Sequence, residues 1–136
     1  MGAIQNVITA VNTILETQVT NAYNAYDYPV EQIVEERSYM TYYGGGSLEM
    51  QTYDFYKGLH TFVVDFVVFR KDLARDMQLL MTDIDTVFSA LSSDPTFGGK
   101  ISTFEQITCS QPIAETWGGV PVFILRFTIE NAKILT

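Results

Sequence analysis

One histidine and one cysteine are all that the 136 residues offer of the side chains most used in nucleophilic catalysis and metal binding. A Cys–His or Ser–His nucleophile would need His60, with Cys109 or a serine brought to it by the fold, and nothing in the neighbouring sequence supports such a set. An imidazole at the start of a strand is more often a packing or surface residue. The single thiol excludes an internal disulfide and fits synthesis in a reducing cytoplasm. Positive charge is also scarce: 8 Lys and Arg stand against 16 Asp and Glu, a net charge of −8. That balance argues against a free-standing nucleic-acid binder, which needs a basic stripe to release counterions from phosphate, and against an anionic membrane surface. No apolar run approaches the roughly 20 residues of a spanning helix, because Asp65 and Arg70 break the longest one. The N-terminus lacks the basic start and small-residue cleavage site of a signal peptide.

What is present describes a single folded domain over 1–136. Apolar residues make up 47% and charged residues 18%, a globular balance, and a chain of this size buries roughly two-thirds of its unfolded surface. The stretch Gly58 to Leu91 organises the rest. Leu59 to Arg70 is dense in β-branched and aromatic residues, which suit a pleated, packed strand. Its even positions Phe62, Val64, Phe66 and Val68 are all apolar, so one face is buried. The odd positions Thr61, Val63, Asp65, Val67 and Phe69 are largely apolar around one carboxylate. A sheet with one wet face alternates more cleanly, so a helix or another subunit is expected over the second face. Leu73, Met77, Leu80, Met81, Ile84, Val87, Phe88 and Leu91 then recur at helical spacing. Asp72 is placed to cap that helix and Asp94-Pro95 to stop it.

Upstream, Ile4, Val7, Ile8, Val11, Ile14 and Leu15 predict a one-sided helix from about Ala3 to Val19, with Asn12 among the residues turned away. Tyr23 to Tyr28 has no helical period, and Pro29 closes it. Val30 to Tyr43 and Leu48 to Tyr56 read as strands, and Gly44-Gly45-Gly46-Ser47 between them as the flexible tip of a long hairpin. Beyond the second helix, Asp94 to Gly99 is a loop on turn chemistry, Lys100 to Ser110 a strand, Gln111 to Gly119 a connection, and Val120 to Glu130 a final strand. The fold class is therefore α+β: a mostly antiparallel sheet of four to five strands, an N-terminal helix, a second helix between strands 3 and 4, and a long Gly-tipped β-hairpin.

Candidate chemistry is thin, and no catalytic, cofactor or metal residues are assigned. Asp72, Asp76, Asp83 and Asp85 scatter around the solvent side of their helix, as a solvated face does. Gly44-Gly45-Gly46 lacks the Lys-Ser/Thr and helix of a phosphate-binding loop. Trp117-Gly118-Gly119 offers an aromatic that either anchors a partner or folds over the sheet edge. Asp65 is the most telling residue, because a carboxylate amid an apolar strand is costly unless paired. Arg126, mid-strand on the more polar face of the last strand, is placed to neutralise it. The face they share is then either a subunit interface or an internal ion pair beneath the first helix.

A helix, then Tyr26-Asp27-Tyr28-Pro29-Val30 leading into a strand, a Gly-rich hairpin, Leu59 to Arg70 feeding the helix Asp72 to Leu91, and Asp94-Pro95-Thr96-Phe97-Gly98-Gly99 before two closing strands: this order resembles the tail terminator proteins of long-tailed bacteriophages over nearly the whole chain. The resemblance implies a virion protein and not an enzyme, with no cofactor. It implies a self-assembled, usually hexameric ring on the head-proximal end of the tail tube. Such a ring stops tube polymerisation and presents the surface that joins the head. The implied partners are other copies of the chain, the tail tube protein and a head-completion or neck protein, with DNA passing through unbound and no membrane contact. The implied location is the tail–head junction of particles made in the bacterial cytoplasm. The region Gly44 to Met50 corresponds to the loop that reaches a neighbouring ring, and Ile113 to Gly119 to a second contact region. Candidate interface residues are thus Gly44, Gly45, Gly46, Leu48, Met50, Asp65, Trp117 and Arg126. Shortening Gly44 to Ser47 is then expected to spare the fold and abolish tail completion. Two other readings stand beside this one: a neck or head-completion ring protein, and a small-molecule binding module using aromatics at Tyr23, Tyr26, Tyr28 and Trp117.

Overall fold

A computed structural model describes residues 2–19, 24–26, 28, 37–47, 58–71 and 73–134. The elements run α1 (Ala3–Gln18), β1 (Asn24–Tyr26), β2 (Arg37–Ser47), β3 (Leu59–Phe69), α2 (Leu73–Ser93), β4 (Ile101–Thr103), β5 (Gln106–Cys109), β6 (Ile113–Trp117) and β7 (Val120–Ile134). The α+β class holds, with α2 following the third strand. The sheet is mixed, because β1 lies parallel to β2 while every other pair is antiparallel. Its order is β1-β2-β3-β7, and β4, β5 and β6 follow one another along the far side of β7. The expected strand from Lys100 to Ser110 and the expected connection after it thus form one broken run opposite the 15-residue β7. Pro112 has no N–H to give that ladder. There Ser110 bridges the break, its N–H donating to the Arg126 carbonyl at 2.8 Å and its hydroxyl accepting the Arg126 N–H at 3.0 Å.

Both helices pack on the sheet face that carries Phe62, Val64, Phe66 and Val68 from β3 and Phe123, Leu125, Phe127 and Ile129 from β7. Helix α1 contributes Val7, Ile8, Val11 and Leu15 at the expected spacing. Asn12 is a correction: it is buried, its amide donating to the Tyr26 carbonyl at 3.1 Å and its Oδ1 accepting the Thr41 hydroxyl at 2.5 Å, so it ties α1 to β1 and β2. Helix α2 packs most of the expected stripe, with Leu80, Val87 and Leu91 buried and Met77, Ile84 and Phe88 against the core, but its buried side also takes in carboxylates. The positions 76, 80, 83, 87 and 90 alternate at four and three residues and all are buried, so Asp76 and Asp83 sit at 1% exposure while Met81 is 44% exposed. The carboxylates thus do not all lie on the solvent side. Asp76 is accommodated at the start of α2, where its Oδ2 accepts the Lys71 N–H at 2.9 Å and Arg75 lies beside Oδ1 at 3.3 Å.

The expected glycine tip is also corrected. Gly44 to Ser47 belong to β2 and face β3, with Gly45 opposite Thr61, Gly46 opposite His60 and Ser47 opposite Leu59 past a bulge at Tyr43/Gly45. A Cβ on Gly44 would come within 2.9 Å of Val63 Cγ2, and one on Gly46 would collide with the Tyr43 hydroxyl and approach His60 Nδ1 to 2.7 Å. Crowding by neighbouring side chains favours glycine at 44 and 46, and a φ of 116° favours it at 45, within a paired strand and not at a free tip. Shortening this segment would remove paired residues from β2, so the expectation that the fold survives is withdrawn. The expected strand from Leu48 to Tyr56, with the candidate residues Leu48 and Met50, lies outside the described residues.

Candidate functional site

The sheet face opposite the helices holds a smaller apolar cluster of Met40, Val67, Val122 and Ile124. Tyr26, Tyr42, Phe69, Trp117 and Val120 pack around it. All four central residues are at most 6% exposed within the single chain. Among the described residues no helix lies on this face.

Register brings Asp65 and Arg126 together at the middle of this face, as facing residues of β3 and β7. Arg126 grips the carboxylate with two donors, Nε to Oδ1 at 2.8 Å and Nη2 to Oδ2 at 3.0 Å, the fork geometry that makes arginine–carboxylate pairs strong. Tyr42 of β2 adds a third bond, its hydroxyl donating to Oδ2 at 2.7 Å. The Asp65 side chain is 2% exposed and that of Arg126 46%. The buried carboxylate is thus fully engaged by donors, while the guanidinium keeps N–H groups at the surface. The ion pair forms within the single chain, but on the side of the sheet away from α1 and not beneath it.

Tyr42 was the member that sequence reasoning missed. Nothing in its strand indicates which residue of β3 it will face, and only the antiparallel register Met40–Asp65 sets it diagonally beside the carboxylate. Burial, and then the hydrogen bond and charge of Asp65, push the Tyr42 hydroxyl from its ordinary 10.0 up to about 12. Arg126 is held still further above its normal range, first by its hydrogen bonds to Asp65. The phenol titrates higher folded than unfolded, so its contribution is intact below the unfolded value and is lost as pH rises through the folded one. We expect a loss of about 1–2 kcal/mol between roughly pH 10 and pH 12, discounted for a half-buried group. Urea unfolding across this range should show it, and Tyr42→Phe should remove that slope.

The other candidates are placed as follows. Trp117 ends β6, partly buried against the small cluster, at a two-residue turn where Gly118 and Gly119 both have positive φ (57° and 84°). Paired glycines at such angles are what a tight hairpin between right-twisted strands requires. Gly44, Gly45 and Gly46 sit by the start of β3 and Trp117 beyond its end, so these regions and the Asp65–Arg126 pair do not form one patch. Tyr26 and Trp117 approach the small cluster from β1 and β6, Tyr28 is 60% exposed beside Tyr26, and Tyr23 lies outside the described residues.

His60 is fully buried, its Nδ1 2.8 Å from the Tyr43 hydroxyl. It faces position 132 of β7 while Cys109 faces position 127, an offset of about 17 Å along the strand at ~3.3 Å per residue. Burial pushes the Cys109 thiol up, away from the reactive thiolate. Among the described residues no group of three or more His, Cys, Asp or Glu is arranged to hold a metal ion, and no helix is long and apolar enough to cross a membrane. Compared with models of known protein families and with curated protein sequences, the chain matches none.

Proposed function

We propose that the chain is a structural subunit of a ring that caps the head-proximal end of a bacteriophage tail tube, stops its growth and offers a surface to the head. The observation that carries this reading is the make-up of the helix-free face among the described residues. A half-exposed arginine is held by two hydrogen bonds on a buried carboxylate, with Ile113 exposed at 38% and, farther along the same face, Trp117 partly buried against the small cluster. Arginine and aromatic side chains held in fixed positions are the usual anchors of protein–protein contacts. The order of elements that resembles tail terminators supports the same reading. Neck and head-completion proteins share this ring logic, and the location of the chain in the particle separates the two.

The test is to add gold-labelled chain to growing tail tubes and image them by negative-stain microscopy. Label at one tube end with elongation arrested is the expected result. Label along the tube walls, or tubes that keep growing, would refute the role. Ile113→Glu, a change at an exposed position, should leave the circular dichroism spectrum unaltered and weaken end binding by about tenfold or more.

A further inference from the structure

The outer side of α1 and the turn that follows α2 enclose a groove of about 450 Å3. Ala10 and Ile14 supply apolar surface, and Asn6, Thr13, Asp94 and Lys100 supply the polar groups around it. The two charges differ in what they are free to do. Asp94 is committed to its own turn, Oδ2 accepting the Gly98 N–H at 2.9 Å and Oδ1 the Thr96 hydroxyl at 3.1 Å. Lys100 gives its backbone N–H to the same turn, at 2.9 Å from the Thr96 carbonyl. Its ammonium is exposed and makes no ion pair among the described residues. The Thr13 hydroxyl donates to the Thr9 carbonyl at 2.9 Å, which leaves its oxygen as an acceptor only.

We propose that this groove binds a small aliphatic monocarboxylate, the carboxylate meeting Lys100 and the Asn6 amide and the hydrocarbon lying along Ala10 and Ile14. The volume is in the range of small-ligand sites and accommodates a chain of about eight carbons. An uncommitted ammonium selects an anionic head, and the Asp94 charge is countered locally by the turn donors that it already holds. A dicarboxylate is disfavoured, because its second anion would fall on apolar surface or near Asp94. The proposal stands independently of the ring reading, since α1 and the Asp94–Lys100 turn lie on the opposite side of the sheet from Arg126.

The experiment is a titration of the isotopically labelled full chain with octanoate, followed by amide chemical shifts. Saturable shifts confined to residues 6–14 and 94–100 are expected, with a Kd on the order of 1 mM, as ligand efficiency for about ten heavy atoms allows. Each buried methylene strengthens binding by up to about fourfold, so hexanoate should bind roughly five- to tenfold more weakly. Octanol, with the same chain and no charge, should lose about tenfold, and Lys100→Met should lose the same factor for octanoate but not for octanol. Thr13→Trp, a change at an exposed helix position that fills the groove, should abolish the shifts with an unchanged circular dichroism spectrum. Absence of saturable shifts below about 10 mM, a shift map elsewhere, or equal octanoate binding by Lys100→Met would each overturn the proposal.

Discussion

Arg126→Met is expected to lower the free energy of unfolding by about 2–4 kcal/mol at neutral pH. The loss comes from what the substitution leaves behind. Asp65 remains in the middle of β3 at 1% exposure, with only the Tyr42 hydroxyl still donating to it. A buried carboxylate stripped of its counter-charge must recruit water, take up a proton or distort the strand pair, and each course is costly. The surviving tyrosine bond and the half-exposed position of Arg126 put the estimate toward the lower part of the range for broken buried pairs. Urea denaturation measures the change, and a loss under about 1 kcal/mol would show that Asp65 finds other donors. The double variant Asp65→Leu/Arg126→Met should recover most of the stability, because two apolar groups replace the pair without leaving an orphan.

Phe127→Ala should cost about 3–5 kcal/mol, the range for emptying a large aromatic site in a packed core. Phe127 is fully buried on β7 and touches aromatic rings from two directions, Phe66 of β3 at 5.6 Å and Phe88 of α2 at 5.5 Å, both edge-on. Phe66 is in turn stacked on Tyr39 of β2 at 5.0 Å. Phe127 thus joins β7 to β3 and α2, and through Phe66 the ring contacts run on to β2, so its loss opens a cavity at the centre of this chain of rings. Thermal unfolding of Phe127→Ala and of Met81→Ala provides the comparison. Met81 is exposed at 44%, and its truncation should stay within about 0.5 kcal/mol of the parent. Similar losses for the two would mean that the aromatic chain is not the centre of the fold.

The parts legible in the sequence were those where one periodicity ran for three or more turns or strand repeats. Helix α1, strand β3 and strand β7 came out within a few residues of their ends, apart from the late end of β7. The pairing of Asp65 with Arg126 was legible because a lone carboxylate in an apolar strand has few places to send its charge. What was hidden depended on contacts distant in sequence. The glycines at 44–46 read as a turn because nothing local reveals that Val63, Tyr43 and His60 crowd against that backbone. Strand β1 is three residues long and exists through its pairing with β2. The burial of Asp76 and Asp83 was within reach, since 76, 80, 83, 87 and 90 follow a four-three rhythm as well as the apolar set does. Reading charge as a sign of exposure set it aside. Strand β6 had a local signal too, because Trp117-Gly118-Gly119-Val120 between β-branched residues is a hairpin pattern. The groove beside α1 had none, as it arises where two segments some ninety residues apart in sequence come together.

Strand β7 comes after all of its partners in chain order, yet it lies between β3 on one flank and β4, β5 and β6 on the other. Until residues 120–134 leave the ribosome, β3 has an unsatisfied edge and the run from 101 to 117 has nothing to pair with. A nascent chain stalled short of that point would display open strand edges and an uncovered aromatic floor, the features that invite aggregation. Insertion of β7 closes both flanks of the sheet at once.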